Sequence, residues 1–133
     1  MMEPHVTGER TCPKCGALMV PIRHGDVVVD RCTGCQGLWF DWNENLRLRG
    51  DPAAGGLDTG NPNVGVMLNA IEGVFCPVCH IRMDVLGVPE HTHVRFDCCP
   101  RCLGVFFDAG EFSDYQHATL FDWLRGLLSR LVH

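Results

Sequence analysis

Eight of the nine cysteines in this chain fall into four C-x-x-C pairs: Cys12/Cys15, Cys32/Cys35, Cys76/Cys79 and Cys99/Cys102. The pairs combine into two sets, C-x2-C-x16-C-x2-C and C-x2-C-x19-C-x2-C. Such spacing is the signature of a structural zinc site, because each C-x-x-C turn puts two sulfurs on one side of a tight loop and two turns complete a tetrahedron. Four thiolates close each site and leave no position for the water of a catalytic zinc. The expectation is therefore two zinc ions per chain, with iron as the minor all-sulfur alternative. Cys98, next to Cys99, is the odd one out and is read as a free thiol; an exchange of roles between the two stays open. At the same distance beyond each second pair stand an Asp and a Glu, Asp41/Glu44 and Asp108/Glu111. They could act as acid and base, hold a hard cation, or begin a helix as a capping box, Asp at the N-cap and Glu reaching back from N3. Each pair stands where an apolar strand gives way to a helical stretch, which favours the third reading.

These spacings belong to an internal duplication. Cys12–Glu44 is the first copy and Cys76–Glu111 the second; the first cysteine pairs match at an offset of 64, the second pairs and the Asp/Glu pairs at 67. The second copy thus has three extra residues, placed at the hairpin tip around residues 87–91. Within each copy the pattern is β. Strands are predicted over 18–22, 27–30 and 38–40, and over 82–86, 92–97 and 105–107. Gly16, Gly37 and Gly104 are expected to relieve crowding at the cysteine turns, often at positive φ, and His80 stands where the second copy would have the first of them. The aromatic residues Trp39, Phe40, Phe106 and Phe107 are expected to pack inward.

The predicted fold class is a small metal-stabilised β (α+β) protein: tandem zinc ribbons, each a three-stranded sheet followed by a helix, with a longer C-terminal helix. The boundaries are a first ribbon with a short helix over 10–49, a flexible Gly/Pro-rich linker over 50–72, a second ribbon over 73–112, and an amphipathic helix over 113–133. That last segment is expected to pack over the ribbons or to mediate docking or dimerisation. Each copy alone is too small to bury an adequate core, so metal would supply much of its folding free energy.

CPxCG, a hairpin and CxxCxG-hydrophobic-aromatic-aromatic-D-x-x-E together resemble the transcription factor IIB-type zinc-ribbon family (zf-TFIIB). The resemblance covers Cys12 to about Leu46 and Cys76 to about Phe112. It implies a zinc ribbon with one zinc per copy, held by the eight paired cysteines, and a link to transcription.

Formal net charge is −5, from 16 acidic and 11 basic residues, with Lys14 the single lysine. This balance weighs against a polyanion partner, which needs a basic footprint. No apolar run approaches the length of a membrane span, the first residues carry no signal-peptide core, and abundant reduced thiols suit the cytoplasm. The expected protein is non-enzymatic: a zinc-binding, protein-interaction or regulatory module. Nucleic-acid binding is the second reading, and a metallochaperone or enzyme accessory protein the third.

Overall fold

The computed structural model describes residues 10–48, 51–88 and 91–117. In the first copy, β1 (Met19–His24) and β2 (Val27–Cys32) form an antiparallel hairpin, and β3 (Leu38–Phe40) pairs with β2. Gly25, the first of the two loop residues, takes φ +63°, the conformation such a tight hairpin demands. The second copy repeats the plan with β4 (Asp84–Val88), β5 (His91–Cys98) and β6 (Val105–Phe107). Its added length is taken up beyond Gly87, where the register shifts.

The two copies do not fold as separate ribbons. β3 pairs antiparallel with β6, giving one six-stranded sheet in the order β1-β2-β3-β6-β5-β4. The register is Leu38 with Phe107, Trp39 with Phe106, and Phe40 with Val105. Trp39 therefore faces its own repeat equivalent, and a local two-fold axis passes through that pair. A central strand buried on both faces should read as an unbroken apolar run. LWF and VFF do, and all six residues are buried.

One face of the sheet gathers Val27, Val29, Leu38, Phe40, Val94, Val105 and Phe107. Over it lie Leu48 of α1 (Glu44–Leu48), Ala54 and Leu57 of a 3₁₀ turn (Pro52–Leu57), and Phe112 and Tyr115 of α3 (residues 111–117). Phe40 and Phe107 meet edge to face with centroids 5.5 Å apart, and Phe112 closes on Phe40 at 4.7 Å. The opposite face holds Trp39, Phe106, Met19, Met83 and the cysteines.

The segment expected to be a flexible linker is ordered. It carries the 3₁₀ turn, begun by Asp51, whose side chain accepts from the Ala53 N–H, and α2 (Pro62–Asn69), begun in the same way by Asn61. Its glycines serve close approach rather than freedom. A Cβ at Gly65 would lie 1.9 Å from the Ala109 carbonyl oxygen, and one at Gly60 would lie 2.6 Å from Ala109 Cβ. Composition suggested a linker because Gly and Pro mark loops as well as tight contacts, and only the packing partner separates the two. Of the C-terminal helix expected over 113–133, residues 118–133 lie outside the described residues.

Candidate metal centres

The four cysteines of each copy converge. Cys12, Cys15, Cys32 and Cys35 bring their sulfurs within 4.8 Å of one another, and so do Cys76, Cys79, Cys99 and Cys102. Individual S···S separations are 3.7 Å for Cys12–Cys35, 3.4 Å for Cys15–Cys32 and 3.7 Å for Cys76–Cys102. A zinc ion with Zn–S bonds of about 2.3 Å requires tetrahedral edges of about 3.8 Å. The clusters therefore fit two zinc ions.

Local folding explains the convergence. Each C-x-x-C forms a knuckle whose first sulfur accepts backbone N–H bonds from inside the turn. Cys12 Sγ accepts from Lys14 and Cys15 at 3.4 and 3.5 Å, and Cys32 Sγ from Gly34 at 3.2 Å. Cys76 accepts from Val78 and Cys79, and Cys99 from Arg101 and Cys102. These amides partly offset the charge of buried thiolates. The turn then reverses through a residue at positive φ: Gly16, Gln36, His80 and Leu103, at 79°, 64°, 61° and 62°. His80 thus adopts the left-handed conformation that Gly16 adopts in the first copy.

Gly37 and Gly104 are not at positive φ, against expectation, and have another purpose. A Cβ at Gly37 would come 2.3 Å from the Phe106 ring; one at Gly104 would come 2.3 Å from the Trp39 ring. Each copy's glycine makes room for the other copy's axial aromatic side chain. The glycine of CxxCxG is a cross-repeat contact.

Thiol acidity is split within each cluster. Cys35 is drawn down to about 5 by its hydrogen bond with Cys12, while that same contact pushes Cys12 up. Burial raises Cys32, Cys76 and Cys102. Burial also opposes ionisation of Cys99, but the N–H groups of Cys102 and Arg101 prevail and lower it. Zinc would replace the protons that remain, so binding is coupled to proton release. Cys98 lies outside both clusters; it packs against the other face of the sheet, and burial raises its thiol.

The carboxylates depart from a symmetric capping box. In the first copy Glu44 Oε1 accepts from the Asp41 N–H at 3.0 Å, as a capping Glu should. In the second, Glu111 Oε1 accepts from Arg95 N–H instead. The start of α3 is capped from outside the repeat: Asp58 accepts from Gly110 N–H at 2.9 Å and from Ser113 N–H at 3.0 Å. Nothing in the repeat alignment could have singled out Asp58, which has no equivalent in either copy.

Asp41 and Asp108 have a different duty. Each sits beside the Asp that lies one strand away, Asp30 and Asp97 respectively, and each pair receives one cation. Arg10 Nη1 donates to Asp30 at 2.8 Å and to Asp41 at 3.1 Å. The Lys14 side chain is only 1% exposed, and its Nζ lies 2.9 Å from Asp108 and 3.4 Å from Asp97. It also donates to the Leu68 carbonyl at the end of α2. The single lysine thus ties the first copy's zinc knuckle to the second copy and to α2. Burial still raises Asp108, to about 6, and raises Asp97, with Lys14 pulling the other way in both.

The family model described as transcription factor zinc-finger, the TFIIB-type zinc ribbon, matches residues 11–48 and 75–117. The chain belongs to this family. It carries the zinc ribbon twice, and the matched segments contain both four-cysteine clusters. No curated protein and no solved structure matches the chain. No helix among the described residues is long and apolar enough to cross a membrane.

Proposed function

We propose that this zinc-ribbon protein is a non-catalytic protein-interaction module with a regulatory role, and that transcription, the process in its family's description, is where it acts. The supporting observation is the distribution of apolar surface. Trp39, Phe40, Phe106 and Phe107 are consumed in the core, yet Trp42, Val66, Met67 and Phe75 remain 64%, 71%, 75% and 58% exposed. Large exposed apolar side chains around a rigid, metal-stapled body suit recognition of protein. The metal clusters already have four sulfurs each, which suits structural ions rather than a reacting centre.

Charge supports the same reading. Several cations that a nucleic acid would need are engaged internally: Arg10 and Lys14 with buried carboxylates, Arg47 with Asp26 and Arg95 with Glu72. The test is affinity capture from the native host with zinc-loaded protein, identified by mass spectrometry, beside the Met67→Asp and Phe75→Asp variants. Partners lost in a variant that keeps both zinc ions support the proposal. Salt-dependent DNA or RNA binding, with no protein captured, would replace it with the nucleic-acid reading.

A further inference from the structure

The local two-fold axis through Trp39 and Phe106 exchanges the two edge strands of the sheet, β1 and β4. Alternate residues of an edge strand turn their N–H and C=O groups away from the sheet. In β1 that outward set includes Met19, whose N–H donates to the Arg10 carbonyl at 2.9 Å. Pro21 follows in the same set, and a proline fits an edge strand where its missing N–H would have pointed outward. Just before β4, Met83 donates in the same way to the Val74 carbonyl at 2.8 Å. Val85 and Gly87 therefore turn their backbone groups outward. Arg95, opposite Gly87, agrees with this, for its N–H turns away from β4 to Glu111. The repeat offset of 64 sets Val85 on Pro21 and Gly87 on Arg23. The first copy's edge thus lacks an N–H at its centre and carries a cation beside it, both of which deter strand addition. The second copy's edge keeps both N–H groups. Among the described residues no strand pairs with β4 on that side, and no hydrogen bond reaches the outward groups of Val85 and Gly87.

We propose that β4 pairs antiparallel with β4 of a second copy of this chain, joining two sheets into one. A row of outward backbone donors and acceptors is satisfied by an extended strand, not by a helix. Self-complementarity selects the second copy. With the new two-fold axis at Leu86, Val85 faces Gly87 of the second copy, and such a pair exchanges two hydrogen bonds. Symmetry repeats the pair, so every outward group of Val85 and Gly87 is used. Leu86 meets Leu86 of the second copy in the non-hydrogen-bonded pair between them, where side chains come closest. Leu86 stands opposite Phe96, at the rim of the aromatic core, and is 44% exposed in the single chain. Its mate covers it. Asp84 falls opposite Val88, so no like charges face each other across the seam. The register shift of β4 against β5 comes after Gly87 and leaves these pairs intact. Two β1 strands joined in this way would lose both Pro21 donors and set Pro21 against Arg23. Trp42, Val66, Met67 and Phe75 lie outside β4, so this pairing and the recognition of other proteins stand or fall separately.

The experiment takes the full zinc-loaded chain from micromolar to millimolar concentration, with sedimentation velocity for its mass and NMR for backbone amide exchange. The expected species is a dimer that dissociates on dilution. The Val85 and Gly87 amides should gain protection as it forms, and the Arg23 amide on the opposite edge should gain none. Val85→Pro copies the first copy's guard and takes no bond from β5. It should keep both zinc ions and raise the dimer's dissociation constant about tenfold or more, because an interchain donor is lost from each copy. Leu86→Lys, which alters no backbone group, should weaken the dimer as well. A monomer throughout the range overturns the proposal. So does a dimer whose Val85 and Gly87 amides stay open, which would put the contact elsewhere. Protection of those amides at every concentration also overturns it, since the chain's own residues would then cover the edge. A dimer indifferent to Val85→Pro does the same; should that variant lose zinc, Leu86→Lys and amide exchange in the wild type decide.

Discussion

At the scale of single residues, the repeated Asp and Glu illustrate how equal sequence positions acquire unequal work. Their spacing is that of a capping box, and only Glu44 behaves as one. Asp41 and Asp108 are members of carboxylate pairs, the second fully buried and the first partly so, each matched by a cation from a non-equivalent place. Replacing Lys14 by Met would leave Asp97 and Asp108 buried without a counter-charge. Removing one partner of a buried pair costs on the order of 3–5 kcal/mol. Urea denaturation of zinc-loaded protein should show that loss, and adding Asp108→Asn to the same chain should restore part of it; equal stability of wild type and Lys14→Met would show the contact to be dispensable. Glu111 gives a second prediction. Burial pushes its carboxyl up to about 7 from an ordinary 4.5. A raised carboxyl binds its proton more tightly when folded, so its ionisation weakens the fold as pH climbs from the unfolded value to the folded one. Glu111→Gln keeps the acceptor for Arg95 N–H and removes that cost. Its stabilisation over wild type should be about 1 kcal/mol larger at pH 8 than at pH 6. A difference independent of pH in paired denaturation curves would contradict the assignment.

At the scale of elements, the hairpins, the third strands and the two cysteine clusters were legible because their signals are local. Alternation, turn residues and C-x-x-C spacing each act within a few residues of chain. What was not legible depends on contacts between distant segments. The sequence shows LWF and VFF as buried strands but not that they pair with each other. It shows Gly60 and Gly65 but not Ala109, whose backbone makes them necessary. From sequence, residues 50–72 consequently look like a linker, although this segment supplies the cap of α3 and the helix that covers the second copy's turn. Gly104→Ala tests this kind of contact directly. Its methyl group would meet the Trp39 ring, and relief requires moving a fully buried side chain. Overpacking of this kind costs about 1–3 kcal/mol. Both zinc ions should stay bound while Trp39 emission changes and the melting temperature falls; an unchanged melting temperature would show that the seam can yield.

At the scale of the whole molecule, two small units share one sheet, so their stabilities cannot be separate. Cys32 ends β2 and Cys99 directly follows β5, the strands that flank the central pair, and the axial aromatics pack on the cysteine face of both copies. Loss of either ion should therefore loosen both halves. A chain with Cys32→Ser, holding a single zinc, should lose amide protection in β5 as well as β2. Protection retained throughout the second copy would show that the halves fold independently. Removal of both ions by a strong chelator should abolish the β signal in circular dichroism, because neither copy has core enough to stand without metal.

The seam between β3 and β6 has a kinetic consequence. Each hairpin closes a short loop and can form early, but the central pairing joins Leu38 to Phe107 and must await both halves. Until it forms, every chain displays two bare apolar strand edges of matching register, and an edge of that kind accepts the strand of a neighbouring chain as readily as its own. Refolding at rising protein concentration should divert chains into exchanged dimers, in which β3 of one molecule pairs with β6 of another, detectable by size-exclusion chromatography after stopped-flow dilution. A monomer yield independent of concentration would mean that the segment joining the copies, through Asp58, Gly60 and α2, holds the two edges together before a stranger can reach them.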